Sequence, residues 1–202
     1  VTLEDKEKIE EARRAYDGLT EEQKKLVGLD VLKVLTDAEK EYKKQEEEKD
    51  KIPGRLTITC AGFTYDGTRK PSPKVSETTN GGAEIIYRYY ADAALEQEID
   101  VPLNAGTYYV KGFVDATDKY KGTESEAVKF VIVPKKVEKA SVSGITAMYY
   151  PGKALTQKNL KVAGYKKGTD YTVSYKNNTK VGKATVTITF RGNYTGKITK
   201  EF

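Results

Sequence analysis

Residues 170–198 read DYTVSYKNNTKVGKATVTITFRGNYTGKI. Tyr171, Val173 and Tyr175 alternate with Thr172 and Ser174. Val186, Ile188 and Phe190 alternate with Thr185, Thr187 and Thr189. A period of two is the side-chain period of a strand with one wet face. The Asn-Asn and Gly-Asn pairs between the runs are turn chemistry. The stretch therefore predicts an antiparallel β unit.

Working outward, the same phrase occurs earlier as AEIIYRYY (83–90) and NAGTYYVKGFVDATDKYKG (104–122). Tyr65-Asp66-Gly67 matches Tyr150-Pro151-Gly152 at an offset of 85, and Tyr89 matches Tyr175 at 86. Gly106 then matches Gly182 at 76, and Tyr120-Lys121-Gly122 matches Tyr194-Thr195-Gly196 at 74. The drop of about ten residues falls within ADAALEQEIDVPLN (91–104), a loop insertion in the first copy; loops are where copies of one fold diverge.

The alignment assigns faces. Ile85, Tyr87 and Tyr89, with Tyr108, Val110, Gly112 and Val114, are expected inside. Ile86, Tyr90, Tyr109 and Phe113 are then expected on the outer face, where the second copy has Thr172, Lys176, Thr185 and Thr189. Four large apolar side chains there ask for a cover and form the candidate contact surface. Three covers are open to it: the insertion folding back through Ala93, Ala94 and Leu95, docking of the helical segment, and an external partner.

Residues 1–50 carry helical periodicity, with Leu3, Ile9, Ala12 and Tyr16 near one face and Leu32, Leu35, Ala38 and Tyr42 on another stripe. Thr20 and Gln23 form a capping-box pattern. At DKIPGR (50–55) the grammar changes to strands, beginning with RLTITC and continuing through GTYYVKGFV and AVKFVIV. Pro134–Lys136 reads as a linker. SVSGITAMYY, DYTVSYK, KATVTITF and GKITKEF are the strands of the second copy. The organisation expected is a helical segment (1–50), a first β module (51–136, insertion near 91–103) and a second β module (137–202).

Charge steps at the same places. Residues 1–50 hold 11 basic and 16 acidic side chains, residues 51–136 hold 12 and 11, and residues 137–202 hold 12 and 3. The last excess suggests attraction to polyanions. The lysines are spread over strands and turns without a nucleic-acid-binding motif, so no nucleic-acid partner is expected. No apolar run approaches the length of a membrane span.

There is no histidine among the 202 residues and one cysteine, Cys60. Histidine-dependent triads and HExxH zinc chemistry are excluded, as is an internal disulfide. Cys60 reads as a buried small hydrophobe. No catalytic residue, cofactor or metal is assigned. Glu96 and Glu98 lie in a charged loop. Asp115, Asp118, Glu124 and Glu126 surround a turn and offer the clustered oxygens calcium prefers, but the interleaved Lys119 and Lys121 oppose a cation there. Asn177 and Asn193 fit the glycosylation sequon but read as turn residues. The Tyr-x-Gly phrases read as tight turns capped by a ring.

FTYDGTRKPSP, EIIYRYY, VPLNAGTYYVKGFVDATDKYKG and VKFVI together resemble the MBG/YDG-type Ig-like repeats of bacterial surface proteins. YYPGKAL and GTDYTVSYKNNTKVGKATVTITFRGNYTGKITKEF resemble them more closely still. IEEARRAYDGLTEEQKKLV is similar to short helical segments between modules of Gram-positive cell-wall proteins. The resemblance implies a multidomain α plus all-β protein: a short N-terminal helical bundle, then two Ig-like β-sandwich modules. It implies a non-catalytic fragment of an exported cell-surface protein serving as stalk, spacer or adhesive element. Expected partners are a cell-wall polymer, a glycan, a host or cell-surface protein, and neighbouring modules of the same parent chain. The alternative is a carbohydrate-binding or accessory region of a larger secreted enzyme.

Overall fold

The computed structural model describes residues 1–202. The chain is an α plus β protein: helices at the N-terminal end, then strands in several sheets. It divides into two compact units. One comprises residues 1–56, 78–85 and 114–124. The other comprises residues 57–77, 86–113 and 125–202.

In the first unit, α1 (Lys6–Asp17), α2 (Glu21–Lys24) and α3 (Leu29–Lys49) follow the helical periodicity. Thr20 and Gln23 form the expected reciprocal cap: the Gln23 amide donates to Thr20 Oγ1 at 3.3 Å, and the Thr20 amide donates to Gln23 Oε1 at 2.9 Å. Arg13 of α1 grips Glu39 of α3 through two parallel bonds of 2.5 and 2.6 Å, the strong fork geometry of guanidinium with carboxylate. This pairing holds the Glu39 carboxyl below its usual range. No helical residue is buried, so the apolar stripe around Ile9, Ala12, Val31 and Leu35 lines an open groove.

The first β stretch contains β1 (Arg55–Thr59), β2 (Phe63–Thr64), β3 (Lys74–Thr79), β4 (Ile86–Tyr90), β5 (Glu98–Ile99), β6 (Gly106–Val114), β7 (Thr123–Glu124) and β8 (Val128–Val133). β1 pairs with β3, and a larger sheet runs β2-β8-β6-β4-β5. β3 was invisible to periodicity because KVSETT is exposed at every position. β2 and β8 are parallel, whereas β4 and β6 are antiparallel to their neighbours. Tyr89, Val110, Gly112 and Val114 are buried as the alignment required, and Ile85, Tyr87 and Tyr108 are half-buried. Cys60 is buried, which pushes its thiol pKa up.

The second β stretch contains β9 (Lys135–Lys136), β10 (Val142–Ser143), β11 (Lys161–Val162), β12 (Tyr171–Lys176), β13 (Thr185–Phe190), β14 (Tyr194–Thr195) and β15 (Lys197–Glu201). One sheet is β12-β13-β15 and another is β10-β11. Leu160 and Val162 share a core with Tyr171, Val186, Ile188 and Phe190, so both faces named by the quoted stretch are correct. Two expectations change. Pro134–Lys136 is no plain linker, because Lys135–Lys136 pairs in parallel with Tyr194–Thr195. SVSGITAMYY is not one strand. Gly144 takes φ +73° and lies so close to the Asn159 carbonyl that no side chain fits, which turns the chain after Ser143.

The repeat is visible in three dimensions. Tyr89 pairs with Val110 as Tyr175 pairs with Val186. Tyr89 meets Phe130 edge to face at 6.3 Å, and Tyr175 meets Phe202 edge to face at 6.0 Å.

Candidate functional site

The outer-face stripe forms as neighbouring strands should form it. β4 and β6 place Ile86 opposite Phe113 and Tyr90 opposite Tyr109, with Arg88 opposite Lys111 between them. Ile86 is exposed, Tyr109 and Phe113 are half-buried, and Tyr90 is buried. Sequence reasoning missed the cations. Arg88 lies over the Phe113 ring at 4.8 Å from the centroid, and Lys111 at 5.6 Å. A cation held at a ring face is attracted by the quadrupole, worth about 0.5–1 kcal/mol at an exposed site. The signal was available, since residues two apart on a strand share a face.

The insertion turns back rather than laying its alanines on this face. Asp92 accepts from the amides of Gln97 at 2.8 Å and Glu96 at 3.2 Å, and Ala91 donates to the Gln97 carbonyl. The Gln97 amide leads the groups that hold the Asp92 carboxyl below its usual range. The chain then returns as β5, which places Glu98 opposite Tyr90. Ala93 and Ala94 are exposed, whereas Leu95, at φ +60°, is half-buried. Arg88 reaches Glu98 at 3.8 Å.

A second cluster joins the two β stretches within their shared unit. Asn193 Oδ1 accepts from the Ala105 amide at 2.7 Å, and Asn193 Nδ2 donates to Asn104 Oδ1 at 2.9 Å. Beside it, Tyr194 stands edge-on to Tyr65 at 5.6 Å and to Tyr165 at 4.9 Å, and Tyr165 continues to Phe190 at 5.0 Å. Burial, with Tyr65 beside it, pushes the Tyr194 hydroxyl pKa up. The backbone adds a ladder: Lys135 donates to the Asn193 carbonyl and Val137 to the Thr195 carbonyl. Asn193 is thus a joint residue rather than a plain turn residue, while Asn177 sits in a turn at φ +60°. The residue that directly follows the insertion, Asn104, contributes too.

The Tyr-x-Gly glycines have different jobs. Gly196 takes φ +119°, and a Cβ there would stand 2.5 Å from the Val137 carbonyl oxygen. Gly122 has no positive φ; a Cβ there would crowd the Val114 carbonyl at 3.2 Å. A positive φ, which suits glycine in a tight turn, is thus found at Gly67, Gly152 and Gly196 of these phrases and is missing only at Gly122.

No group of three His, Cys, Asp or Glu side chains is placed to hold a metal ion, the turn of Asp115, Asp118, Glu124 and Glu126 included. The buried polar side chains are Asn80, Ser125 and Gln157, none of them a carboxylate. No helix is long and apolar enough to cross a membrane. No family model, no curated protein and no solved structure matches the chain.

Proposed function

We propose that this chain is a non-catalytic structural or adhesive part of an exported cell-surface protein, and that its two β stretches are Ig-like β-sandwich modules acting as stalk, spacer or adhesive element. The observation that carries the reading is the pairing of a strand near the start of each stretch with a strand near its end, in parallel. In the first, Phe63–Thr64 runs alongside Ile132–Val133. In the second, Lys135–Lys136 runs alongside Tyr194–Thr195. Pulling the ends of such a stretch apart slides the two strands along each other. Their bonds are then stressed together rather than one after another. A module that lies in line with tension benefits from that geometry, and an enzyme has no need of it.

The joint supports the same reading. Two side-chain hydrogen bonds and a run of four aromatic rings limit motion between consecutive stretches, which a spacer requires. Two sheets sharing one core in the second stretch support the sandwich assignment. The location is extracellular, at the cell surface or in the wall. The partners are wall polymers, glycans, surface proteins or neighbouring modules.

Stretching the whole chain between its ends tests this. Two discrete high-force events from the β stretches are expected. Val137→Pro removes the amide that reaches Thr195 and should lower one of them. Gradual lengthening without discrete events would overturn the spacer role.

A further inference from the structure

The two β stretches differ along one strand edge. In the first, β4 pairs with β6 on one side and with β5 on the other. Tyr89 is opposite Ile99, Tyr90 is opposite Glu98, and the Ala91 amide donates to the Gln97 carbonyl at 3.0 Å. β5 thus brings an exposed carboxylate and a half-buried apolar side chain to that edge.

In the second stretch β12 is the counterpart of β4, since Tyr175 pairs with Val186 as Tyr89 pairs with Val110. Here the strand pairs with β13 alone and forms the edge of its sheet. Its backbone polarity is fixed at the start. The Asp170 carbonyl accepts from Arg191, just beyond β13, while the Tyr171 carbonyl accepts from Gly168 on the other side. Successive residues of a strand direct their backbone groups to opposite edges. Val173 and Tyr175 therefore aim their amides and carbonyls away from β13, and no hydrogen bond within the chain reaches them. The open edge is short. Gly168 closes it at Tyr171, and Leu155 closes it at the other end by donating to the Asn178 carbonyl at 2.9 Å. Exposed Lys176 stands where the first stretch has Tyr90.

We propose that this edge of β12 is a docking site for an extended acidic peptide of a partner protein, added as an antiparallel strand. The register of β5 supplies the pattern: a carboxylate opposite Lys176 and an apolar residue opposite Tyr175. Main-chain bonds to Val173 and Tyr175 give the affinity of such an added strand, and alternate side chains give its selectivity. The charge fits, because residues 137–202 hold 12 basic and 3 acidic side chains. A second copy of β12 fits poorly. A lysine on an edge blunts pairing between like edges. The flanking segments also leave room for only about four residues, roughly 13 Å of strand. The inference rests on register and charge, and holds whether or not the chain is a stalk.

The test adds the peptide Leu-Glu-Gln-Glu-Ile-Asp-Val, the sequence of residues 95–101, to the full chain. Amide hydrogen exchange is read at Val173 and Tyr175. At saturating peptide, exchange at both should slow about tenfold or more. The Glu98→Lys form of the peptide should protect far less, and the Lys176→Glu chain should reverse the preference. No protection by the acidic peptide, or equal protection by the two peptides, overturns the proposal. Equal protection of the Lys176→Glu and unaltered chains by the acidic peptide also overturns it. So does protection that grows with protein concentration in the absence of peptide, because the occupant would then be a second copy.

Discussion

The side-chain amide of Asn193 donates to the Asn104 side-chain oxygen at 2.9 Å across 89 residues of chain, while its own oxygen takes the Ala105 amide. Asn193→Ala removes both bonds and leaves the Ala105 amide without its acceptor. Each lost bond of this kind costs about 0.5–1.5 kcal/mol, so a loss of about 1–3 kcal/mol is expected in equilibrium urea unfolding. Asn193→Asp keeps the acceptor and should cost less. Equal losses for the two variants would show that the amide donor, rather than the acceptor, carries the joint.

The outer face of β4 and β6 should respond unevenly. Ile86→Thr sits in solvent and should change stability by less than about 0.5 kcal/mol. Tyr90→Ala empties a buried site and should cost about 3–5 kcal/mol, as large aromatic deletions do. Phe113→Thr lies between them, because the ring is half-buried and carries Arg88. The same three variants measured for adhesion to cells or wall polymer show whether the face has an external use. Binding lost in Ile86→Thr at unchanged stability is the signature of a contact surface.

Gly196→Ala should be far more damaging than Gly152→Ala. Both positions have positive φ, at +119° and +80°. Only Gly196 would also drive a Cβ against the Val137 carbonyl, whereas Gly152 faces open space. A strained φ costs about 1 kcal/mol or more, and the collision adds to it by pushing β9 from β14. Matching thermal shifts for the two variants would refute the close-approach explanation.

Asp92 should make the insertion turn acid-sensitive. Backbone amides, that of Gln97 first, depress its folded pKa below the unfolded value. In the interval between the two values the unfolded chain binds more protons, so stability rises with pH there. The contribution is complete above the unfolded value, about pH 4, and is lost as pH falls through the folded one. Asp5, Glu39 and Asp66 are depressed too, so Asp92→Asn should lessen the acid limb in a pH series of melting curves without abolishing it. An unaltered acid limb in that variant would exclude Asp92 as its source.

The basic second stretch should be retained by anionic polymers through exposed lysines. That attraction is screened over about 8 Å at 0.15 M salt, so retention should fall steeply above that concentration. Retention that survives high salt would point to a shaped site instead.

What could be read without coordinates was local. Val186, Ile188 and Phe190 declared their inward face by alternating with threonines, because a strand sends successive side chains to opposite sides. Thr20 and Gln23 declared a helix start because their reciprocal bonds span three residues. The offsets of 85, 86, 76 and 74 declared two copies and the place of the insertion. Only the tertiary structure decided that Lys135–Lys136 is a strand, since its partner lies some sixty residues later. The same holds for the joint at Asn193 and for the cations over Phe113. It holds also for Tyr90, which shares a face with exposed Ile86 and yet is buried. Periodicity encodes which side of its own strand a residue faces. It carries no record of what arrives there from elsewhere in the chain, because that depends on loop closure and pairing between segments that have no common period.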